Sequence, residues 1–333
     1  MNVLFIESPT LNGTFEPVIA RLRAEGSDVR LASPASLASD PAPLWDAQLV
    51  VTGSAYQLDA ATLRRATRLL AVAYGAIGTD GIDLQAATEA GIAVAHAPTH
   101  PNYTSMAEAT VLLMLALLYD LERARDLMHR GGPRPATITA RMLEGRTVGL
   151  VGIGRIARAV ASRLAPWGVR LLACRLRPEL EIGMPGIELV SLDALLADSD
   201  VVSLHAAYRA GAAPLLGARE FGRMRPGSLL VNTARGGLVD EAALCAALQS
   251  GHLAGAALDT FAAEPLPSDS PLREAPRVLL TPHCIGHTQE LMASLQQALQ
   301  ANVAALLAGS PPPYLRNPEV LPRWRARIRA SRS

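Results

Sequence analysis

The stretch that most narrows what this chain can fold into is residues 147–164, TVGLVGIGRIARAVASRL. An apolar run passes directly into Gly152-Ile153-Gly154-Arg155-Ile156-Ala157, and then into Ala and Leu at helical spacing. Strand, tight turn and helix therefore follow without a spacer. In such a turn the first glycine allows a sharp reversal and the second lets the backbone approach a pyrophosphate. The third position needs a small residue where helix meets strand, which Ala157 supplies. The amides that open the helix, at the positive end of its dipole, favour an anion. A second apolar run at residues 169–174 completes a βαβ unit, and the whole predicts nucleotide binding rather than an empty turn.

With 333 residues, 50% hydrophobic and 18% charged, the chain can bury one large core or two ordinary ones, and two domains are expected. The 31 Lys+Arg nearly balance 30 Asp+Glu, for a net charge of +1, which points to no nucleic-acid or membrane-surface partner. Every basic residue is arginine, so Schiff-base and P-loop lysine chemistry are closed to this sequence. Cys174, Cys245 and Cys284 are scattered without metal-ligand spacing, which argues for buried thiols, a reducing compartment and no zinc site. The apolar runs at residues 1–6 and 109–119 are too short for a signal peptide or for the roughly 20 residues that cross a bilayer. A cytoplasmic protein is expected. Arg323, Arg325, Arg327, Arg329 and Arg332 read as a solvated basic end rather than a nucleic-acid tail.

Apolar runs at residues 2–6, 29–32, 48–52, 69–73 and 92–95 alternate with helical or turn segments, the first helix being expected over 17–25 and a loop at 40–43. Such alternation predicts a mostly parallel sheet with helices on both faces. Residues 74–80, YGAIGTD, form a glycine-bearing loop at a strand's carboxyl end, where open α/β sheets bind ligands. Its amides could hold a carboxylate; an ordinary tight turn fits equally well. Residues 98–101 read as a linker, and 104–128 as one helix, apolar almost all round and buried between layers or domains.

Beyond the βαβ unit, Arg175 and Arg177 stand where an acidic residue would meet the ribose hydroxyls. Arginine pairs with a 2′-phosphate, so NADP(H) is expected over NAD(H), two solvated arginines being the other reading. A short helix is expected at 189–196, strands at 201–205, 229–233, 256–259 and 278–281, and a helix at 240–249. Three of these strands lead to Arg235, Glu264 and His283. A 2-hydroxy acid that gives its C2 hydride to nicotinamide needs a base for its hydroxyl proton, and the reverse step needs an acid near pH 7, which suits histidine. A carboxylate beside the histidine would raise its pKa, and an arginine fork would hold the substrate carboxylate. Singly, each has a plainer reading: His283 as a strand-end histidine bonded to backbone, Glu264 as a cap, Arg235 as an ion-pair partner.

Residues 152–157, 231–240 (VNTARGGLVD), 258–266 (LDTFAAEPL) and 280–283 (LTPH) closely resemble, in order and spacing, the signatures of the D-isomer-specific 2-hydroxyacid dehydrogenase family. Residues 74–83, 91–98 and 107–108 are similar to that family's substrate loop and domain crossing, and the first seventy residues match only in outline. The resemblance implies two doubly wound parallel-sheet α/β domains: a Rossmann dinucleotide domain over 99–286, inserted into a flavodoxin-like substrate domain over 1–98 and 287–333, with catalysis in the cleft between them. It implies that His283 is the acid/base, Glu264 its support and Arg235 the substrate anchor, with Ile77, Gly78 and Ser54 also on the substrate side. Gly152, Gly154, Arg155, Ile156, Arg175, Arg177, Ala206, Thr233 and Ala234 fall on the cofactor, and Asp259 on its carboxamide. A homodimer through the dinucleotide domains, and no metal, are also implied.

The departures from the family are informative. Gly53-Ser54 replaces the Arg-Ser of members acting on 3-phosphoglycerate, which argues against a phosphorylated substrate. Glu264 replaces the glutamine of formate-oxidising relatives, and there is no lysine for phosphite oxidation. Tyr103 stands where a threonine commonly contacts nicotinamide, and its role is left unassigned. His287 reads as the cap of the next helix rather than a second substrate contact. The expected activity is reduction of a small 2-oxo acid such as glyoxylate or hydroxypyruvate. A 3-phosphoglycerate dehydrogenase-like enzyme and a nucleotide-sensing regulatory protein are the alternatives.

Overall fold

The computed structural model describes residues 1–8, 10–53, 56–175, 185–209 and 211–332. Ser54 and Arg177, both expected at the site, lie outside the described residues. The chain divides into two compact units, Met1–Asn102 with Thr288–Ser333, and Tyr103–His287.

Unit 1 carries a five-stranded sheet of β1 (Val3–Ile6), β2 (Val29–Ala32), β3 (Leu49–Thr52), β4 (Ala71–Tyr74) and β5 (Ala93–Ala95), in the order β2-β1-β3-β4-β5. Every pairing is parallel. Alternate residues feed two cores: Val3, Phe5, Leu49 and Val51 face the helices Asn12–Ala24 and Gln289–Leu307, while Leu4, Ile6, Val50 and Val72 face the other layer. Burial on both faces explains why β1, β3, β4 and β5 read as continuous apolar runs.

Unit 2 carries seven parallel strands: β6 (Thr147–Val151), β7 (Arg170–Cys174), β8 (Ile187–Leu189), β9 (Val201–Leu204), β10 (Leu229–Asn232), β11 (Gly255–Leu258) and β12 (Val278–Leu280). Their order is β12-β11-β10-β9-β6-β7-β8. The chain runs outward from β6 in one direction and returns to β9 on its other side, so the strand order reverses between β6 and β9, where open α/β sheets take their ligands.

Four local expectations change. The helix expected over 104–128 is two, His100–Leu118 and Leu121–His129, bent by 63°, and the first takes in residues 100–101 of the linker expected over 98–101. Asp120 makes the break in left-handed conformation (φ 55°, ψ 43°), and its carboxylate accepts from the Thr139 hydroxyl at 2.7 Å. The first helix starts at Asn12, not 17: a turn from Ser8, braced by the Asn12 side chain on the Ser8 amide at 2.9 Å, nucleates it and leaves Pro17 inside. The loop expected at 40–43 gives way to a short helix, Ala42–Asp46, begun on its prolines. The expected helix at 189–196 becomes strand β8 followed by Leu192–Asp198, started by the Ser191 hydroxyl on the Ala194 amide at 3.2 Å. Among the described residues, no single helix is long and apolar enough to cross a membrane.

Candidate active site

The site in unit 2 is assembled from the turns at the carboxyl ends of its parallel strands. After β6, Gly152 has φ +90°, and a Cβ there would lie 2.9 Å from the His205 carbonyl and the Ala206 amide, so only glycine fits. Gly154 then caps the helix Arg155–Leu164 with no side-chain bond, and a Cβ on it would meet nothing within 4 Å. The first intrahelical bond runs from the Arg158 amide to the Gly154 carbonyl at 3.1 Å, leaving the amides of residues 155–157 to point beyond the helix end. Ala157 is fully buried under the turn. An open, uncapped helix start over a glycine elbow fits the pyrophosphate of a dinucleotide.

Tyr103, unassigned from sequence, meets this turn. The Arg155 guanidinium donates to its hydroxyl at 2.6 Å and lies 5.2 Å from its ring centroid. After β7, the Cys174 carbonyl accepts from the Gly152 amide at 3.2 Å, and Arg175 comes next, exposed, at the same strand end. After β9, the His205 ring lies 3.0 Å from the Ser203 hydroxyl, and burial pushes its pKa down to about 4, so it stays neutral. Ala206 is buried beside it.

Buried Asn232, the last residue of β10, shapes the next turn by accepting from the Ala234 amide at 3.0 Å and donating to the Arg235 carbonyl at 2.9 Å. The Thr233 hydroxyl lies 3.1 Å from that of Thr110. Arg235 is half-buried and donates to the Ala234 carbonyl at 2.7 Å. Gly236 presses on the segment after β11 so closely that a Cβ would sit 1.8 Å from the Phe261 carbonyl carbon. That contact fixes the Arg235 turn against the Glu264 turn.

After β11, Asp259 is almost fully buried, and its Oδ1 accepts from the Thr281 hydroxyl at 2.7 Å and from the amides of Cys284 at 3.0 Å and Ile285 at 3.2 Å. Sequence reasoning gave Asp259 to the cofactor and missed this brace, which has no signature in spacing. It shapes the turn in which His283 is held at φ +51°, a region a β-carbon disfavours. His283 Nδ1 lies 2.7 Å from Glu264 Oε2, and Glu264 Oε1 accepts from the Phe261 amide at 3.0 Å. An ionised carboxylate only accepts, so Nδ1 carries the proton and Nε2 is the nitrogen left to exchange one.

The electrostatics agree with that assignment. Burial pushes the Glu264 carboxyl up, but the His283 and Phe261 bonds, with the charges of His283 and Arg235, outweigh it and hold Glu264 below the usual carboxylate range. The Glu264 bond raises His283; burial and Arg235 oppose, the charges of Glu264 and Asp259 add, and the balance lies above an ordinary histidine. His287 is pushed down by burial and by the charge of His283. It is not a helix cap: the Thr288 hydroxyl accepts from the Leu291 amide at 3.2 Å and takes that place.

In unit 1, Ile77 and Gly78 lie in the loop after β4, and no hydrogen bond of their amides is found among the described residues.

The D-isomer-specific 2-hydroxyacid dehydrogenase NAD-binding domain profile matches residues 111–284. The chain is 37% identical over 271 residues to a glyoxylate reductase of Thermofilum pendens, covering 80% of each. It is 38% identical over 266 residues to a D-3-phosphoglycerate dehydrogenase of Mycobacterium bovis, covering 79% of this chain and 50% of that one. The crystal structure of D-lactate dehydrogenase from Aquifex aeolicus, complexed with NAD and lactic acid, superposes with a TM-score of 0.81 at 27% identity, covering 92% of this chain and 96% of that one. A glycine elbow, a histidine–carboxylate pair and an arginine on successive strand ends thus occur within a matching sequence, and the chain belongs to the D-isomer-specific 2-hydroxyacid dehydrogenase family, NAD-dependent oxidoreductases acting on CH–OH groups.

Proposed function

We propose that the protein reduces small 2-oxo acids, glyoxylate and hydroxypyruvate foremost, with NADPH preferred over NADH, and oxidises the matching D-2-hydroxy acids in reverse. The observation that carries this reading is the 2.7 Å pair of Glu264 and His283, set beside Arg235 by neighbouring strands. Nicotinamide supplies the hydride donor or acceptor. His283 gives a proton from Nε2 to the substrate oxygen in reduction and takes it back in oxidation, while Glu264 keeps the ring oriented and charged. Arg235 pairs with the substrate and polarises its carbonyl, and in unit 1 the Ile77 and Gly78 amides are donors suited to a carboxylate.

Arg175 supports the cofactor preference: an exposed guanidinium at the end of β7 attracts a 2′-phosphate that a carboxylate would repel. A carboxamide contact of Asp259 falls to its second oxygen, since Oδ1 serves the 281–285 turn. A homodimer is supported by Leu121–His129, a helix with no buried residue, and by the large apolar side chains exposed around it, Met128 at 79%, Ile138 at 66% and Met142 at 63%.

Initial rates of NADPH and NADH oxidation with glyoxylate, hydroxypyruvate, pyruvate and 3-phosphohydroxypyruvate test the reading. Turnover of the first two with NADPH preferred is expected. A preference for the phosphorylated acid would favour the 3-phosphoglycerate dehydrogenase-like alternative, and nucleotide binding without turnover of any acid would favour a sensor.

A further inference from the structure

Unit 1 contains a histidine outside the catalytic set whose contacts bear on the loop after β4. His96 follows β5, and its Nδ1 lies 3.0 Å from the Ile77 carbonyl oxygen. A carbonyl only accepts, so Nδ1 donates. One residue along, the Ala97 amide donates to the Ala76 carbonyl at 2.9 Å. Two consecutive loop carbonyls are therefore tied to residues 96–97.

Peptide geometry turns this into a statement about the loop's amides. The Ala76 carbonyl shares its peptide plane with the Ile77 N–H, and the Ile77 carbonyl shares its plane with the Gly78 N–H. Both peptides are trans, and in a trans peptide C=O and N–H point in opposite directions. Anchoring the two carbonyls on one side aims the two N–H groups to the other, where consecutive amides make an anion-binding concavity. A hydrogen bond received at a carbonyl also polarises its amide and strengthens the N–H as a donor.

The anchor is itself rigid. The His96 amide donates to the Tyr314 carbonyl at 3.0 Å, and fully buried Asn302 donates from Nδ2 to the His96 carbonyl at 2.8 Å. The same Asn302 accepts from the Tyr314 amide at 3.1 Å through Oδ1. The imidazole thus stands on a backbone held from both sides.

We infer that His96 is a positioning residue for the substrate carboxylate, holding the Ile77 carbonyl so that the Ile77 and Gly78 amides present a preorganised pair of donors. The inference rests on the reading of those amides as the carboxylate site. It predicts a loss of substrate binding rather than of chemistry or cofactor affinity.

The test compares wild-type protein with His96→Ala and His96→Asn. Asparagine hangs Nδ2 from Cγ as histidine hangs Nδ1, so it can restore the bond. His96→Ala is expected to raise KM for the 2-oxo acid roughly tenfold, the value of one hydrogen bond to an aligned donor pair, with a much smaller fall in kcat. His96→Asn is expected to recover most of that loss, and NADPH affinity, read by fluorescence titration, to stay with wild type in both. An unchanged KM in a folded His96→Ala, or no recovery in His96→Asn, overturns the role of His96 alone. If wild type turns over 2-oxo acids but Gly78→Pro, which deletes one amide, leaves KM unmoved, the carboxylate reading fails and the His96 inference with it.

Discussion

His283 is held in left-handed backbone, bonded to Glu264, and raised in pKa chiefly by that bond. His283→Ala should lower kcat about 10²- to 10⁴-fold in both directions, the usual worth of a general acid–base group, while leaving NADPH binding intact by fluorescence titration. The sign of the pH effect comes from the direction of the shift. Reduction needs protonated His283, so its kcat/KM falls as pH rises through the raised pKa; Glu264→Gln keeps an acceptor for Nδ1 but removes the carboxylate charge that strengthens the bond and adds to the shift, and should move that fall to lower pH. A profile unmoved in Glu264→Gln would contradict the pairing. The same proton stabilises the fold below an ordinary histidine's pKa, and that contribution is lost as pH rises through the folded value. At the end of β7, Arg175→Asp should reduce kcat/KM for NADPH by roughly tenfold or more, one charged hydrogen bond's worth, and spare NADH. The strand-end positions of Arg235, Glu264 and His283 were legible from the apolar runs before them, whereas the roles proposed for them came from the family resemblance. The Asp259 brace and the Tyr103–Arg155 pair were not legible, since both join residues far apart in sequence whose partners only the fold selects.

Elements were legible where burial was two-sided. The strands β1, β3, β6, β9 and β10 are buried throughout or nearly so and read directly as apolar runs. β8 was missed because Ile187–Leu189 is an exposed edge of three residues with no apolar run to announce it. The helix break at Asp120 left no proline or glycine as a signal, and a short polar side chain tolerates the left-handed turn. The packing of the post-β10 turn on the post-β11 turn gives an element-scale prediction. Gly236→Ala forces a methyl into the Phe261 backbone, so thermal or urea unfolding should show a loss of about 3 kcal/mol or more, with activity falling alongside. A stable, fully active Gly236→Ala would mean that the two turns are not locked together.

At the scale of the whole molecule, two parallel sheets with the orders 2-1-3-4-5 and 12-11-10-9-6-7-8 place their functional loops at carboxyl ends, as their alternating apolar runs and glycine turns led one to expect. The apolar side chains exposed around Leu121–His129 have no counterpart in those patterns, and the proposed homodimer would cover them. Light scattering should report a dimer, and Met128→Glu with Ile138→Glu should shift it toward monomer. The most direct test of the central claim is oxidation of D- and L-glycerate with NADP⁺ by wild type and His283→Ala. The account predicts that wild type oxidises the D isomer at least 10²-fold faster than the L isomer and that the variant loses this activity. Equal rates on both isomers, or full activity without the histidine, would contradict it.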